Sequence, residues 1–416
     1  MNRNITKLAV GISTILLMSS SAQAGYTIKN KINDTDTKLS IFGFSQLEMR
    51  GGEGSAIKDN DSAISFHAQR IRLGWKYSAG KIRSKVFLDF NQNSAANKTT
   101  DAGGASGIGV PDNIKDAFIA YNYDKAFTPK MGVIKMPHGM SFTMPGWNLD
   151  IAERGLDKKL VLERNLGLMI SGRDIGFGNY AKVNGYEMGH ERAWKGFGYD
   201  IMVANQAGRS AAVTNAKEGN GNSYAARVMF DWTEVFHLEA SAAMSENAGG
   251  IDGQTTYSYV ALNGTIPAVK LTANTSNYYS YDIGFDSSFM DGGNVKAEYI
   301  YAHNVKGKQD HDETALSLSA QYAINNVYEP TIKHIQGSET SGTSAQTHNL
   351  GNTYLGLNIY LEPFNAKMDR NSKRNRNAHK LVLNYIVATG DTSTWAPTAG
   401  GGYKKDAWIM QWQVKF

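Results

Sequence analysis

Arg70 and Arg72 in one segment, and Arg83 and Lys85 in the next, stand two residues apart, with Asp89 close behind. Residues spaced by two share one face of an extended strand. A row of this kind performs no covalent chemistry; in a confined aqueous space it gathers anions and repels cations. Lys135 and a second charged group follow: Glu153, Arg154, Lys158 and Lys159, joined by Asp157 and Glu163 in the stretch from Pro137 to Glu163. Its acids and bases nearly cancel, and the adjacent Glu153 and Arg154 read either as a structural ion pair or as groups on an ion path. Other chemistry finds little support. Cysteine is absent, which excludes thiolate nucleophiles, disulfides and thiolate metal sites. The nine histidines are scattered, His303 and His311 are not at ligand spacing, and neither a metal nor a cofactor is expected. Gly103-Gly104 and Gly400-Gly401-Gly402 precede no helix, so they are loop glycines and not phosphate cradles.

The elements that must position these charges repeat with period two. Ile71, Leu73, Trp75 and Tyr77 alternate with Arg70, Arg72, Gly74 and Lys76. Ile82, Val86, Leu88 and Phe90 alternate with Arg83, Lys85, Asp89 and Asn91 after the short turn Ser78-Ala79-Gly80. Tyr224, Ala226, Val228 and Phe230 do the same against Arg227 and Asp231, and Phe236, Leu238, Ala240, Ala242 and Met244 against His237, Glu239 and Ser241. Trp408, Met410, Trp412, Val414 and Phe416 share one apolar face, with Gln411, Gln413 and Lys415 opposite. No sustained helical repeat appears between them.

Composition supports an all-β reading. The 416 residues hold 43 Gly, 21 Tyr and 8 Pro, with aromatics at 11%, too many for a disordered chain. Mean hydropathy is −0.39, and the one long uncharged apolar run, Leu8 to Met18, is too short for a helical membrane span. That run lies between the basic Arg3 and Lys7 and an Ala22-Gln23-Ala24 site, the pattern of a secretory signal peptide over residues 1–24. The mature chain would be 25–416, and losing Arg3 and Lys7 takes the net charge from +5 to +3. This is too small a charge to indicate a nucleic-acid partner.

About a dozen strands with one apolar and one polar face, aromatic at their ends, suit a surface crossing hydrocarbon. A closed transmembrane antiparallel β-barrel is the arrangement that leaves no unpaired edge in lipid. Strands are expected at 39–50, 64–78, 80–93, 112–124, 127–136, 164–174, 195–206, 222–232, 235–245, 278–289, 293–304, 312–323, 327–337, 350–361, 378–389 and 406–416. This makes about sixteen, enough to leave an aqueous lumen, with eighteen as the alternative if 256–276 adds a hairpin. Charged side chains cost about 2–4 kcal/mol in mid-bilayer, so Arg70, Arg72, Arg83 and Lys85 must face the lumen. Lys76 and Lys81, near the turn, could snorkel to the interface. Pro137 to Glu163 shows no period two, and loops of that length are uncommon unless functional.

Several ordered motifs carry a family resemblance. Phe66-His-Ala-Gln-Arg-Ile-Arg-Leu-Gly-Trp-Lys is similar to the F-x-x-R-R-x-R-L-G-x-K block of phosphate-selective porins O and P, and Met131-Gly-Val-Ile-Lys-Met-Pro-His-Gly to their G-Q-F-K-x-P-x-G strand end. Glu153-Arg154, Arg164-Asn-Leu-Gly-Leu, Ser171-Gly172, Gly356-Leu-Asn-Ile-Tyr-Leu-Glu-Pro, Leu383-Asn384-Tyr385 and Gln413-Val-Lys-Phe follow in the family's order. The resemblance implies a trimeric sixteen-stranded outer-membrane porin whose loop 137–163 folds inward as the constriction. Val133 and Trp412 depart from the pattern, as do an insertion at 177–194 and a basic stretch with Lys367, Arg370, Lys373, Arg374, Arg376 and Lys380. The name's phosphate selectivity therefore does not carry over.

The expected function is passive diffusion of small hydrophilic solutes with a modest anion preference. The expected ion path is Arg70, Arg72, Arg83, Lys85, Asp89, Lys135, Glu153, Arg154, Lys158 and Lys159. A barrel enzyme would need a compact Ser/His or Asp/His constellation, which is not evident. A conduit or receptor docking a periplasmic protein would use the basic stretch around Lys373, Arg374 and Arg376.

Overall fold

In a computed structural model of the chain the described residues are 25–53, 63–91, 113–176, 191–194, 196–205, 221–233, 236–246, 276–289, 292–325, 327–340, 346–361, 378–397 and 401–416. The strands are β1 (Tyr26–Ile32), β2 (Thr35–Gly52), β3 (Ser65–Ala79), β4 (Ile82–Asp89), β5 (Ile114–Tyr121), β6 (Thr128–Lys135), β7 (Arg164–Ile175), β8 (Gly196–Asn205) and β9 (Asn222–Thr233). They continue as β10 (Phe236–Ser245), β11 (Tyr278–Phe289), β12 (Gly293–His303), β13 (Asp312–Tyr322), β14 (Tyr328–Thr340), β15 (Thr347–Tyr360), β16 (His379–Gly390) and β17 (Ala407–Lys415). Each of β2 to β17 pairs antiparallel with its successor, and β17 returns to β2 from Ala407↔Gly52 to Lys415↔Phe44. Sixteen strands thus close a barrel. The seam is finished by two backbone bonds between Gly43 and Phe416, of 2.8 and 3.0 Å. Strand β10 pairs directly with β11 along its whole length, so the wall has no place for an additional hairpin between them.

Strand β1 was not anticipated. It pairs with the first residues of β2, Tyr26↔Ile41 to Ile32↔Thr35, and so continues the sheet beyond the end of β17. The expected signal peptide, most of 256–276, most of 177–194 and the basic residues Lys367, Arg370, Lys373, Arg374 and Arg376 lie outside the described residues.

Side-chain direction follows the alternation. In β17 the outward set is Trp408, Met410, Trp412, Val414 and Phe416, while Gln411 and Gln413 are buried inside. Ile119, Met131, Ile201, Val228 and Ile283 are more than half exposed on the outer surface, where hydrocarbon replaces water as their solvent. By strand alternation the short β3–β4, β5–β6, β9–β10, β11–β12 and β13–β14 connections fall at the barrel end of Phe416, together with the longer β7–β8 and β15–β16 connections, whereas the β6–β7 connection falls at the other. Short turns mark the periplasmic side of such barrels.

The connection from β6 to β7 leaves the wall and crosses the lumen. It contains the helical turn α1 (Met140–Thr143) and two 3₁₀ turns, Gly146–Asn148 and Leu156–Leu160. Its Phe142, Ile151, Ala152, Leu156, Leu160 and Val161 form one buried cluster with Ile300, Ile335, Tyr354, Val382, Ile386 and Ile409 from β12 to β17. Burial of each large side chain contributes about 1.5–3 kcal/mol, so the loop is a docked element.

Candidate functional site

Backbone groups removed from water must find partners, and the loop finds them on one half of the wall. Gly139 N donates to Ser241 Oγ (3.2 Å) on β10, and Ser141 N donates to Glu298 Oε1 (3.0 Å) on β12. Gln46 on β2 donates to the Gly146 carbonyl and Gln413 on β17 to that of Trp147, each at 3.0 Å. Lys380 on β16 donates to the Leu149 carbonyl (2.7 Å), and Ser280 on β11 to that of Leu160 (2.9 Å). The expected infolded constriction is thus held against β10 to β17 and β2.

Docking sorts the loop's charges. Asp150 pairs with Lys296 of β12, Glu153 with Arg50 of β2 (3.0 Å), and Asp157 with Lys333 of β14 (3.0 Å). Tyr403 also donates its hydroxyl to Glu153. Arg154 points elsewhere, donating to the carbonyls of Phe142 and Met144, so Glu153 and Arg154 do not form the mutual pair weighed from the sequence. Lys135 donates to the carbonyls of Phe142 (2.5 Å) and Thr143 (3.1 Å). Both cations thus fix the carbonyl end of α1. Lys158 pairs with Glu163 at 2.7 Å.

The other half of the wall, β3 to β9, borders with the loop a cavity of about 360 Å³. Its lining counts eleven Lys and Arg against five Asp and Glu. Seven of the ten expected residues are there: Arg70, Arg72, Lys85, Asp89, Lys135, Arg154 and Lys158. The other three are elsewhere. Arg83 is exposed near the turn at Gly80, Glu153 faces the docking wall, and Lys159 is exposed beside Gly401.

Arg70 and Arg72 meet the loop at Gly146, where an added Cβ would lie 3.1 Å from Arg70 Cδ and 3.3 Å from an Arg72 nitrogen. Arg70 donates to the neutral Gln46 amide (2.6 Å) and, among the described residues, contacts no carboxylate. Arg72 bonds Asp89 at 2.8 Å. The Phe44 and Phe87 rings lie 5.4 and 5.8 Å from its guanidinium carbon, and Trp147 packs edge-on against both rings. Lys76, thought able to snorkel, stands over the Phe42 ring at 5.0 Å on this same face.

Sequence reasoning missed Lys115, Asp116, Arg164, Arg173, Asp200 and Arg227 as cavity residues. Arg227 had been placed on a polar strand face, so extending the same rule to β5 through β9 would have found most of them. Asp116 falls on the polar face by the same period two, and only Lys115 needed the structure. The β4–β5 register runs Phe87↔Asp116 and then Leu88↔Ile114, a bulge that skips Lys115 and lets both neighbours reach lumenal partners. Phe87 and Trp147 carry no polar signal.

Loop titrations report the local field. Burial, and then the guanidiniums of Arg70, Arg164 and Arg72, push the Arg154 pKa down to about 9, as expected where positive charge is crowded. Glu163 responds oppositely. Against a desolvation that would raise it, Lys158 and then Lys115 hold its carboxyl below the usual carboxylate range. Burial lowers His138 to about 4.

A closed sixteen-stranded barrel with an apolar outside, a charged lumen and an infolded loop defines an outer-membrane diffusion channel. The model of the phosphate-selective porin O and P family matches residues 53–278, and the chain belongs to that family. No curated protein matches the chain. Among solved structures, the outer-membrane channel DcaP of Acinetobacter baumannii aligns with a TM-score of 0.55 at 12% identity, over 95% of this chain and 100% of that one. The anion-selective porin from Comamonas acidovorans gives 0.52 at 13%, over 91% and 100%. The trimer form of OmpT from Vibrio cholerae gives 0.53 at 10%, over 91% and 99%. At these identities the likeness concerns the fold.

Proposed function

We propose that this porin passes small hydrophilic solutes with a preference for anions, set where Arg70 and Arg72 face the loop at Gly146. One observation carries the reading: eleven cations against five acids line the cavity that the loop leaves clear. Unbalanced cations in a narrow, partly desolvated passage raise local anion concentration and exclude cations. Arg70 bears most of the effect because its contact is a neutral amide, whereas Asp89 offsets Arg72. The preference is modest, since all five acids are paired with these cations. In this proposal residues 1–24 are a removable export signal and the barrel assembles as a homotrimer. The trimer form of the Vibrio protein and the description of the Comamonas protein as anion-selective support these readings by analogy. Reversal potentials across a planar bilayer under a KCl gradient test it. The expected sign is chloride-selective, with a smaller magnitude when Arg70 and Arg72 become Ala; a cation-selective sign refutes it.

A further inference from the structure

A second segment enters the lumen, from the barrel end where Phe416 lies. On β8 the buried, lumen-facing positions include Gly196, Gly198 and Asp200, and the register places Asp231 of β9 beside Gly196 and His237 of β10 beside Asp231. Residues 191–194, the last described residues of the β7–β8 connection, lie on this face. Arg192 is 5% exposed and donates Nε and Nη2 to Asp231 Oδ1, each at 3.3 Å. Trp194 N donates to Oδ2 of the same carboxylate (2.6 Å), and His237 Nδ1 braces it by donating to Oδ1 (2.8 Å). Asp174 N, at the end of β7, donates to the Ala193 carbonyl (2.9 Å). Ala193 is fully buried against Gly198, where an added Cβ would lie 3.0 Å from Ala193 Cα. Backbone and charge taken out of water thus find partners on the wall, which makes the segment a docked part of the channel interior.

The clasp brings Glu191 into the cavity, beside Lys130, Arg173, Asp200 and Arg227. Its carboxylate lies 3.8 Å from the Arg173 guanidinium, which Asp200 already holds at 3.0 Å. With 58% of its side chain accessible, Glu191 is the most open of the cavity's five acids; Glu163 follows at 39%. An accessible pair at that distance is weak, so the charge of Glu191 acts on passing ions. We propose that residues 191–194 form a second inward-folded segment of the channel, clasped to the wall through Asp231, and that Glu191 is a specificity-determining acid at the periplasmic end of the cavity. Arg192 and Asp231 are its positioning residues. A negative charge there lowers the local concentration of anions and so tempers the preference created by the cations. The sign of this effect rests on the anion-preferring reading above; the place of the segment does not.

The chain has no cysteine, so Glu191→Cys gives a channel with one thiol per subunit. Planar-bilayer recordings in KCl follow its reaction with an ammonium-bearing and a sulfonate-bearing methanethiosulfonate, with labelling verified by the mass shift. Each reaction should lower the current in discrete steps, and the ammonium adduct should be more chloride-selective than the sulfonate adduct. Glu191→Gln should raise the chloride-to-potassium permeability ratio about twofold, the Coulomb effect of one charge at roughly 8 Å in water. Adding Arg192→Met to Glu191→Cys should abolish the current steps, and Arg192→Lys should keep them. Gly198→Val, which displaces Ala193, should act like Arg192→Met. A labelled Glu191→Cys channel that conducts like the unlabelled one overturns the proposal, as do steps that survive both Arg192→Met and Gly198→Val. Steps with equal selectivity in the two adducts overturn the role of Glu191. A cation-selective wild type with the steps intact sinks the selectivity reading and leaves the segment in the lumen.

Discussion

His138 offers a direct test of how firmly the loop is docked. Its side chain is fully buried, and neither ring nitrogen has a hydrogen-bond partner among the described residues. The charged groups bearing on it are Glu239 of β10, which favours the protonated ring, and Arg227 of β9, which opposes it. Desolvation outweighs both and takes the pKa from 6.5 to about 4. The undocked ring therefore binds its proton more tightly than the docked one. Docking is unaffected above pH 6.5, weakens as pH falls below that value, and has lost the full contribution below about pH 4. The gap corresponds to about 3 kcal/mol, roughly a hundredfold in the docking equilibrium. His138→Phe removes the titration and the unsatisfied nitrogens, which should tighten docking by about 1–3 kcal/mol at neutral pH. Current fluctuations of single channels, stepped from neutral to acid pH, are the assay. Wild type should become noisier as the loop detaches, and His138→Phe should stay quiet over the same range. Other lumenal acids titrate in both proteins, so the difference between them isolates His138. Identical pH profiles would refute the reasoning.

Leu160, 1% exposed in the cluster beneath the loop, should cost docking about 2–5 kcal/mol when changed to Ala. Larger conductance fluctuations at neutral pH check this, and an unchanged trace contradicts it. Deleting Phe416 removes two backbone bonds of the β17–β2 seam and the ring packed on Gly43, so less heat-modifiable folded barrel should accumulate. Normal yield would mean that the seam closes without it. A tag near Asn371, between the downward β15 and the upward β16, should be reached only after the outer membrane is permeabilised. Labelling of intact cells would invert the assigned orientation.

The strands were legible because lipid on one side and water on the other impose period two on every crossing, and each of the sixteen expected segments overlaps an observed strand. Arg70, Arg72, Lys85 and Asp89 were legible for the same reason. Lys115 was not, because a bulge breaks the alternation there, and a bulge leaves no mark on a hydrophobicity pattern. Phe44 and Phe87 were hidden differently. They occupy lumen positions where the rule predicts polar residues, and their packing with Trp147 exists only once the loop is folded in. Strand β1 is exposed along its length and has no buried face to generate a pattern.

The loop's acids and bases nearly cancel in number, yet a charge count says nothing about direction. Asp150, Glu153 and Asp157 are spent on Lys296, Arg50 and Lys333 of the docking wall. Arg154 and Lys158 line the cavity on the far side. Ile300, Ile335, Val382, Ile386 and Ile409 are inward-facing apolar residues that would suit a water-filled lumen poorly; they mark the surface the loop covers. One half of the barrel is therefore built to hold the loop and the other to conduct. An ion crossing the cavity responds to charges within about a Debye length, roughly 10 Å at 0.1 M salt, so it senses the conducting half far more than the whole chain. A protein of small net charge can then line its cavity with more cations than acids, because docking turns three of the loop's four acids away from it.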